Sequence, residues 1–315
     1  MKRFNNLPIP AIATTLASLT LGNVYGGLGY DWLRTLIMIC GTIVLLAYLF
    51  KIIFFSKTCL GEYNQVIPSS LYATFPMCMM ILGAFFFEKG LGFGKGLWWA
   101  GVIIHFIHIV VFTVMHAYGK VYKEKDFTTM MPSWFVTYNG WMVACVTGGA
   151  MNAGVLLKIM TVYGCLIYPV LLFFIVRRLL TMPIKKGTYH TLGVLLAPCS
   201  FCVIALVNSF EHPPAFLMWI MYGAFLLTLF FLFSRMPKFF SFDFYPGFAG
   251  ISFPMALGIV ASQKMAAYLT AGGHENAARF CLQLSGLQLF VATMIVGYCV
   301  IQFLIMLLRI KKQID

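Results

Sequence analysis

From residue 7 to residue 308 the sequence runs through ten apolar stretches, at about 7–26, 32–55, 68–87, 96–118, 130–150, 154–176, 189–209, 215–234, 246–269 and 280–308. Each is close to the roughly 20 residues a helix needs to cross the hydrocarbon of a bilayer. Few folds accept such a pattern. In hydrocarbon every backbone N–H and C=O must be satisfied inside its own segment. The sequence therefore predicts an all-α membrane protein with ten transmembrane helices. Its composition agrees, with 61% hydrophobic and 10% charged residues against about 25% charged in soluble domains. The connections are short, so residues 1–315 read as a single transmembrane domain. The opening MKRFNNLPIP runs into the first stretch with no small-residue cleavage site nearby, so that stretch is expected to be a span and not a secretory signal.

The net charge of +13 would suggest nucleic acid as the partner of a soluble chain. Here the positions of the charges explain it. With the N-terminus inside, 16 of the 22 Lys and Arg residues fall in inside segments. Only Arg34, Lys89, Lys95, Lys158, Lys264 and Arg279 fall outside. The positive-inside rule then predicts a multi-pass protein of the cell membrane with both termini cytoplasmic. Anionic membrane lipid, and no nucleic acid, is the expected partner of the basic surface. The most basic internal segment, RRLLTMPIKKGTYH (Arg177–His190), reads as a topology determinant that also suits lipid or a regulator.

Five prolines recur near the inner ends of the odd-numbered stretches. Pro10, Pro76, Pro132, Pro198 and Pro254 are separated by 66, 56, 66 and 56 residues, which fits a two-helix unit used five times. The even stretches are dominated by Leu, Ile, Phe and Val, as in LLFFIV and LLTLFFLF. They are expected to face lipid, while the odd stretches, richer in small and hydroxyl residues, pack inside. A proline leaves the carbonyl four residues earlier without its donor. Within a bilayer such a carbonyl is satisfied by protein or by water lining a cavity. Five prolines around one axis predict a wet centre.

The segments GVLLAPCSFCVIAL, MMPSWFVTYNG and FAGISFPMALGIVAS, in this order and spacing, resemble the tellurite-resistance/dicarboxylate transporter family. Its members include bacterial TehA, yeast malate and sulfite transporters, and the slow anion channels of plant guard cells. The resemblance implies five helical hairpins in quasi-fivefold arrangement around a central pore, assembled as a homotrimer. It also implies anion conduction and a phenylalanine that plugs the pore, which by motif is Phe253. The first span carries ATTLAS where relatives often have more glycine, so pore width near Thr14 and Thr15 is a point of departure.

The candidate pore follows from the rest of the sequence. All nine acidic residues lie in loops or at span ends, which argues against a cation site or a carboxylate proton relay. No ring of Lys or Arg stands at mid-span either. An anion would meet the hydroxyls of Thr14, Thr15, Ser200 and Ser252 and the ring of Phe253, so nitrate or iodide should pass more readily than chloride. A phenyl ring closes a narrow pore by steric block and dewetting, and Pro254 is expected to bend its helix and hold that ring near the axis. Coupled transport of dicarboxylates or oxyanions such as malate, sulfite or tellurite is the alternative.

An enzyme is disfavoured, because no convergent catalytic set falls within the spans, and no metal or cofactor is expected. His105 and His108 share a helix face and read as a polar helix–helix contact. Cys199 and Cys202 form a CxxC without nearby His and read as small packing residues. GLGFGKG (Gly90–Gly96) lacks the P-loop spacing and reads as a hairpin turn. Trp98, Trp99, Trp134 and Trp141 are expected to anchor span ends at the interface.

Overall fold

The computed structural model describes residues 2–314, and these are helical with no strand. Seven helices are long and apolar enough to cross a membrane. They are α2 (Asp31–Phe54), α3 (Val66–Glu88), α4 (Phe93–Lys123), α5 (Gly154–Thr181), α6 (Lys186–Ser209), α7 (Ala215–Phe239) and α9, apolar over Glu275–Leu308. The three other expected stretches differ for identifiable reasons. Helices α1 (Pro10–Gly27) and α8 (Ala249–Ala271) have the length, but Asn23 in the one, Gln263 and Lys264 in the other, and Gly, Ser and Thr in both lower their hydropathy. Segment 130–150 is broken into Trp134–Tyr138, Gly140–Met142, Val143–Thr147 and Gly148–Ala150.

Burial alternates along the chain. The apolar windows of α3 and α6 are 72% and 89% buried, whereas those of α2, α4, α5, α7 and α9 are 28–33% buried. Helices α1 and α8 are mostly buried as well. The exposed faces carry large apolar side chains such as Ile43, Phe173, Leu227 and Phe290. Among the buried segments, α1 packs on α3, α3 on Val143–Thr147, Val143–Thr147 on α6, α6 on α8, and α8 back on α1. Each buried segment also packs on the exposed helix that follows it.

The turns repeat too. Gly29 between α1 and α2, Gly90 between α3 and α4, Asn152 before α5 and Gly273 between α8 and α9 all have positive φ, the conformation that commonly ends a helix. The first three residues of GLGFGKG, Gly90–Gly92, are thus the turn of a hairpin, and Phe93–Gly96 already form the first turn of α4. Arg34 fastens this side, donating to Asn23 Oδ1 at 2.9 Å and to both carboxylate oxygens of Glu88 at 2.7 and 2.5 Å.

The tryptophans correct one expectation. Trp98 and Trp134 are buried inside the protein; Trp98 joins α4 to the broken segment through Thr147 Oγ1 at 2.9 Å, and Trp134 bonds the Thr129 carbonyl of the turn before its own helix at 2.7 Å. The indoles standing free on the surface are Trp32 and Trp219.

Candidate functional site

Where the N-terminal ends of the buried segments come together, they leave a vestibule of about 230 Å³. Pro10 of α1, Ile67 and Leu71 of α3, Ser133, and the 3₁₀-helical start of α6 line it, together with Tyr245–Gly247 and Gly250. Beyond Leu71, Val194 and Gly250 the space narrows to about 20 Å³. Ala13, Met77, Phe135, Ala197, Phe201, Phe253 and Pro254 are among the residues around this constriction. A water needs roughly 10–15 Å³ on this measure, so the constriction holds about one. No Asp, Glu, Lys or Arg is among the described residues lining either space.

Three phenyl rings, those of Phe135, Phe201 and Phe253, border the constriction. Phe253 is 6% exposed, and its ring centroid lies 5.9 Å from that of Phe201. Pro254 follows inside α8, so the Gly250 carbonyl lacks its helical donor. The start of α6 lies against this point. A side chain at Gly193 would meet the Gly250 carbonyl at 2.8 Å and Ile251 at 2.5 Å. One at Gly250 would meet the His190 carbonyl at 2.7 Å. Two glycines therefore let α6 and α8 touch backbone to backbone beside the constriction.

The other four prolines stand differently from the sequence expectation. Pro10 is the first residue of α1, and Pro76 and Pro198 lie in the first turn of α-helical stretches that begin at Thr74 and Leu196. Pro132 sits in the turn before Trp134. First-turn amide groups have no intrahelical acceptor in any case. Of the five repeat prolines only Pro254 strips an interior helical hydrogen bond, so the five positions do not each free a carbonyl toward a wet centre.

The vestibule walls carry a few polar groups. Tyr245 Oη lies 2.7 Å from His190 Nδ1 and 3.0 Å from the Lys186 carbonyl, and burial holds this hydroxyl above the usual phenol range. Thr188 and Thr191 donate to backbone carbonyls at 3.1 and 2.6 Å. Ser133 Oγ is buried without a partner among the described residues.

Of the residues singled out from sequence, Pro10 lines the vestibule, and Phe253 and Pro254 line the constriction. Thr14 is buried beside Ala13, its Oγ1 without a described partner. Thr15, Ser200 and Ser252 turn their hydroxyls back onto the carbonyls of Ala11, Leu196 and Ala249 at 3.2, 2.7 and 2.8 Å. Pro76, Pro132 and Pro198 flank the lining residues Met77, Ser133 and Ala197. Sequence reasoning missed Ala13, Met77, Phe135 and Phe201. A signal existed for three of them, because Ala13, Phe135 and Phe201 each stand three residues after a repeat proline.

Outside the vestibule, two buried polar networks hold segments together. His105 Nε2 faces the Thr137 carbonyl at 2.8 Å. His108 spans Thr137 Oγ1 at 3.1 Å and the Tyr63 hydroxyl at 2.7 Å, and burial pushes that hydroxyl up to about 12. The two histidines thus join α4 to the broken segment as a polar helix contact. Lys51, fully buried, donates to the Leu7 carbonyl at 2.8 Å and to Glu62 at 2.7 and 3.0 Å, and the Tyr72 hydroxyl completes the carboxylate at 2.5 Å. Among the described residues no group of three or more His, Cys, Asp or Glu stands where it could hold a metal ion. Cys199 and Cys202 are free and fully buried.

Apolar helices wrapped around small-residue segments, with a vestibule ending in a phenyl-lined constriction, define a membrane protein of the channel and transporter class. The family model described as voltage-dependent anion channel (SLAC1) matches residues 6–310, and the chain belongs to that family. No curated protein matches the chain.

Proposed function

We propose that this protein is an anion channel whose central passage is closed by Phe253 and which passes small monovalent anions such as nitrate and chloride. In this reading ten spans form five hairpins in quasi-fivefold arrangement. Both termini are cytoplasmic, the vestibule is the inner mouth, and the protein works as a homotrimer in the cell membrane. The observation that carries the reading is the constriction itself, a one-water space bounded by Phe135, Phe201 and Phe253 at the end of an open vestibule. Apolar rings at such a neck exclude water and ions together. The absence of carboxylates from the described lining suits an anion, and the basic residues of the inner loops raise its concentration at the mouth.

A second reading is coupled transport of a dicarboxylate or oxyanion such as malate, sulfite or tellurite. The vestibule favours it, because a chamber of about 230 Å³ ending at a closed neck is also what a carrier presents on one side. Current through oocyte membranes separates the two, measured for wild type and Phe253→Ala in chloride and then in nitrate. Large anion currents in the mutant alone support the gated channel. Silence in both, with intact protein at the surface, sinks it and favours the carrier.

A further inference from the structure

Arg178 lies near the end of α5, on the face that Leu171 and Ile175 turn into the protein, and is 8% exposed. Its Nη2 reaches the Pro183 carbonyl only at 3.5 Å. Its Nε and Nη1 are buried with no hydrogen-bond partner among the described residues. The ion pairs between described residues are Arg34–Glu88, Lys51–Glu62 and Lys120–Glu124, and Arg178 takes part in none. Lys51 shows how this fold treats a buried cation, with a carboxylate and a carbonyl around its ammonium.

A guanidinium remains charged under all ordinary conditions, and a buried charge is stable only when paired. No described residue supplies the counter-charge, which leaves that part to a ligand. The surroundings indicate its chemistry. Arg177, the next residue along, is exposed and stands at the end of a groove of about 510 Å³ on the outer face of α5, lined by Pro169, Leu172, Phe173, Val176 and Leu180. Lys185 and Lys186 follow across the turn. The unpartnered Nε and Nη1 of Arg178, with these cations next to it in sequence, match a phosphate, which guanidinium binds through several N–H bonds at once.

We propose that Arg178 is the principal ligand of a phosphate-binding site formed with the 182–186 turn, filled by an anionic phospholipid headgroup or by free inorganic phosphate. The same turn leads into Gly187, Thr188 and Thr191 of the vestibule wall, so an occupied site steadies that wall.

The test uses the full chain purified in a neutral detergent, with thermal unfolding as readout. Sodium phosphate is titrated against sodium chloride at matched ionic strength, and phosphatidylglycerol is titrated separately against phosphatidylcholine. The wild-type midpoint is expected to rise with one probe. Arg178→Gln should weaken that response at least tenfold, and Arg235→Gln, exposed near the C-terminal end of α7, should leave it in place. A response to phosphate in detergent alone supports the free anion as ligand, and a response to phosphatidylglycerol alone supports the headgroup. If Arg178→Gln does not fold, Arg178→Lys decides, because it keeps the charge and loses the fork, so its response should weaken without vanishing. A wild type indifferent to both probes, or an Arg178 variant that responds as wild type does, overturns the proposal.

Discussion

At the scale of the residue, Phe253 and Lys51 make opposite demands on the chain. In the proposed channel Phe253 fills space that conduction would need empty. Phe253→Ala is expected to raise nitrate current about tenfold or more, the change that lowering a barrier by roughly 1.4 kcal/mol produces, and whole-cell currents read it directly. Phe201→Ala, which removes only the neighbouring ring, should act in the same direction and less. Ser133 is a subtler case. Its buried hydroxyl has no described partner, so Ser133→Ala should leave the melting temperature unchanged or slightly raised. If the hydroxyl serves the anion in the vestibule, conductance falls; an unchanged conductance removes Ser133 from the path. Lys51 is structural. Lys51→Met leaves the Glu62 carboxylate in place without its ammonium, and because that carboxylate is 26% exposed the loss should fall below the roughly 3–5 kcal/mol of a fully buried pair broken from one side. Adding Glu62→Gln should recover part of that loss in a thermal melt. These residues differ in how far the sequence announced them. Phe253 stood out because it precedes a repeat proline in a recognisable motif. Lys51 looked like one more inner-side cation, since only the tertiary fold brings Glu62, Tyr72 and the Leu7 carbonyl around it.

At the scale of the element, composition revealed which segments lie inside and said little about how each is turned. The bulky even-numbered stretches are the exposed helices, and the small-residue stretches are the buried ones. Lining is decided by rotation about the helix axis, which long-range packing sets. That is why Ala13 faces the constriction and its neighbour Thr14 does not, and why Ser200 and Ser252 spend their hydroxyls on their own helices. The contact of α6 with α8 is the most confined of these. Gly193→Ala forces a methyl into the Gly250 carbonyl and Ile251, and overpacking of this kind typically costs about 1–3 kcal/mol. The expected result is a lower melting temperature together with an altered conductance, because the displaced backbone borders the constriction. Gly223→Ala on α7, where a Cβ would meet nothing within 4 Å, is the matching control and should do neither.

At the scale of the whole molecule, the charge pattern and the helix pattern make one joint prediction about orientation. A single accessible cysteine in place of Lys185 should react with an impermeant maleimide only after the membrane is opened, and one in place of Lys95 should react from outside. The reverse labelling would invert the proposed topology and place the vestibule on the outer side. The broken segment 134–150 shows where the large-scale pattern stopped being readable. Its apolar run counted as a span, yet its helix is interrupted at Asn139 and again at Gly148. Side-chain bonds hold it to α4 in both directions, from His105 and His108 of α4 to Thr137 and from the Trp141 indole to the Val102 carbonyl at 3.0 Å. Hydropathy averages over such interruptions and cannot see the partners that make them tolerable.

The narrowness of the constriction has a bearing on cell energetics. Protons cross membranes along chains of hydrogen-bonded waters, each handing a proton to the next. A neck with room for about one water, walled by phenyl rings, contains no such chain. In the proposed channel the closed state would therefore insulate the membrane against proton leakage as well as against anion flow. A cell could keep many copies in its energised membrane without discharging the gradient that drives its ATP synthesis.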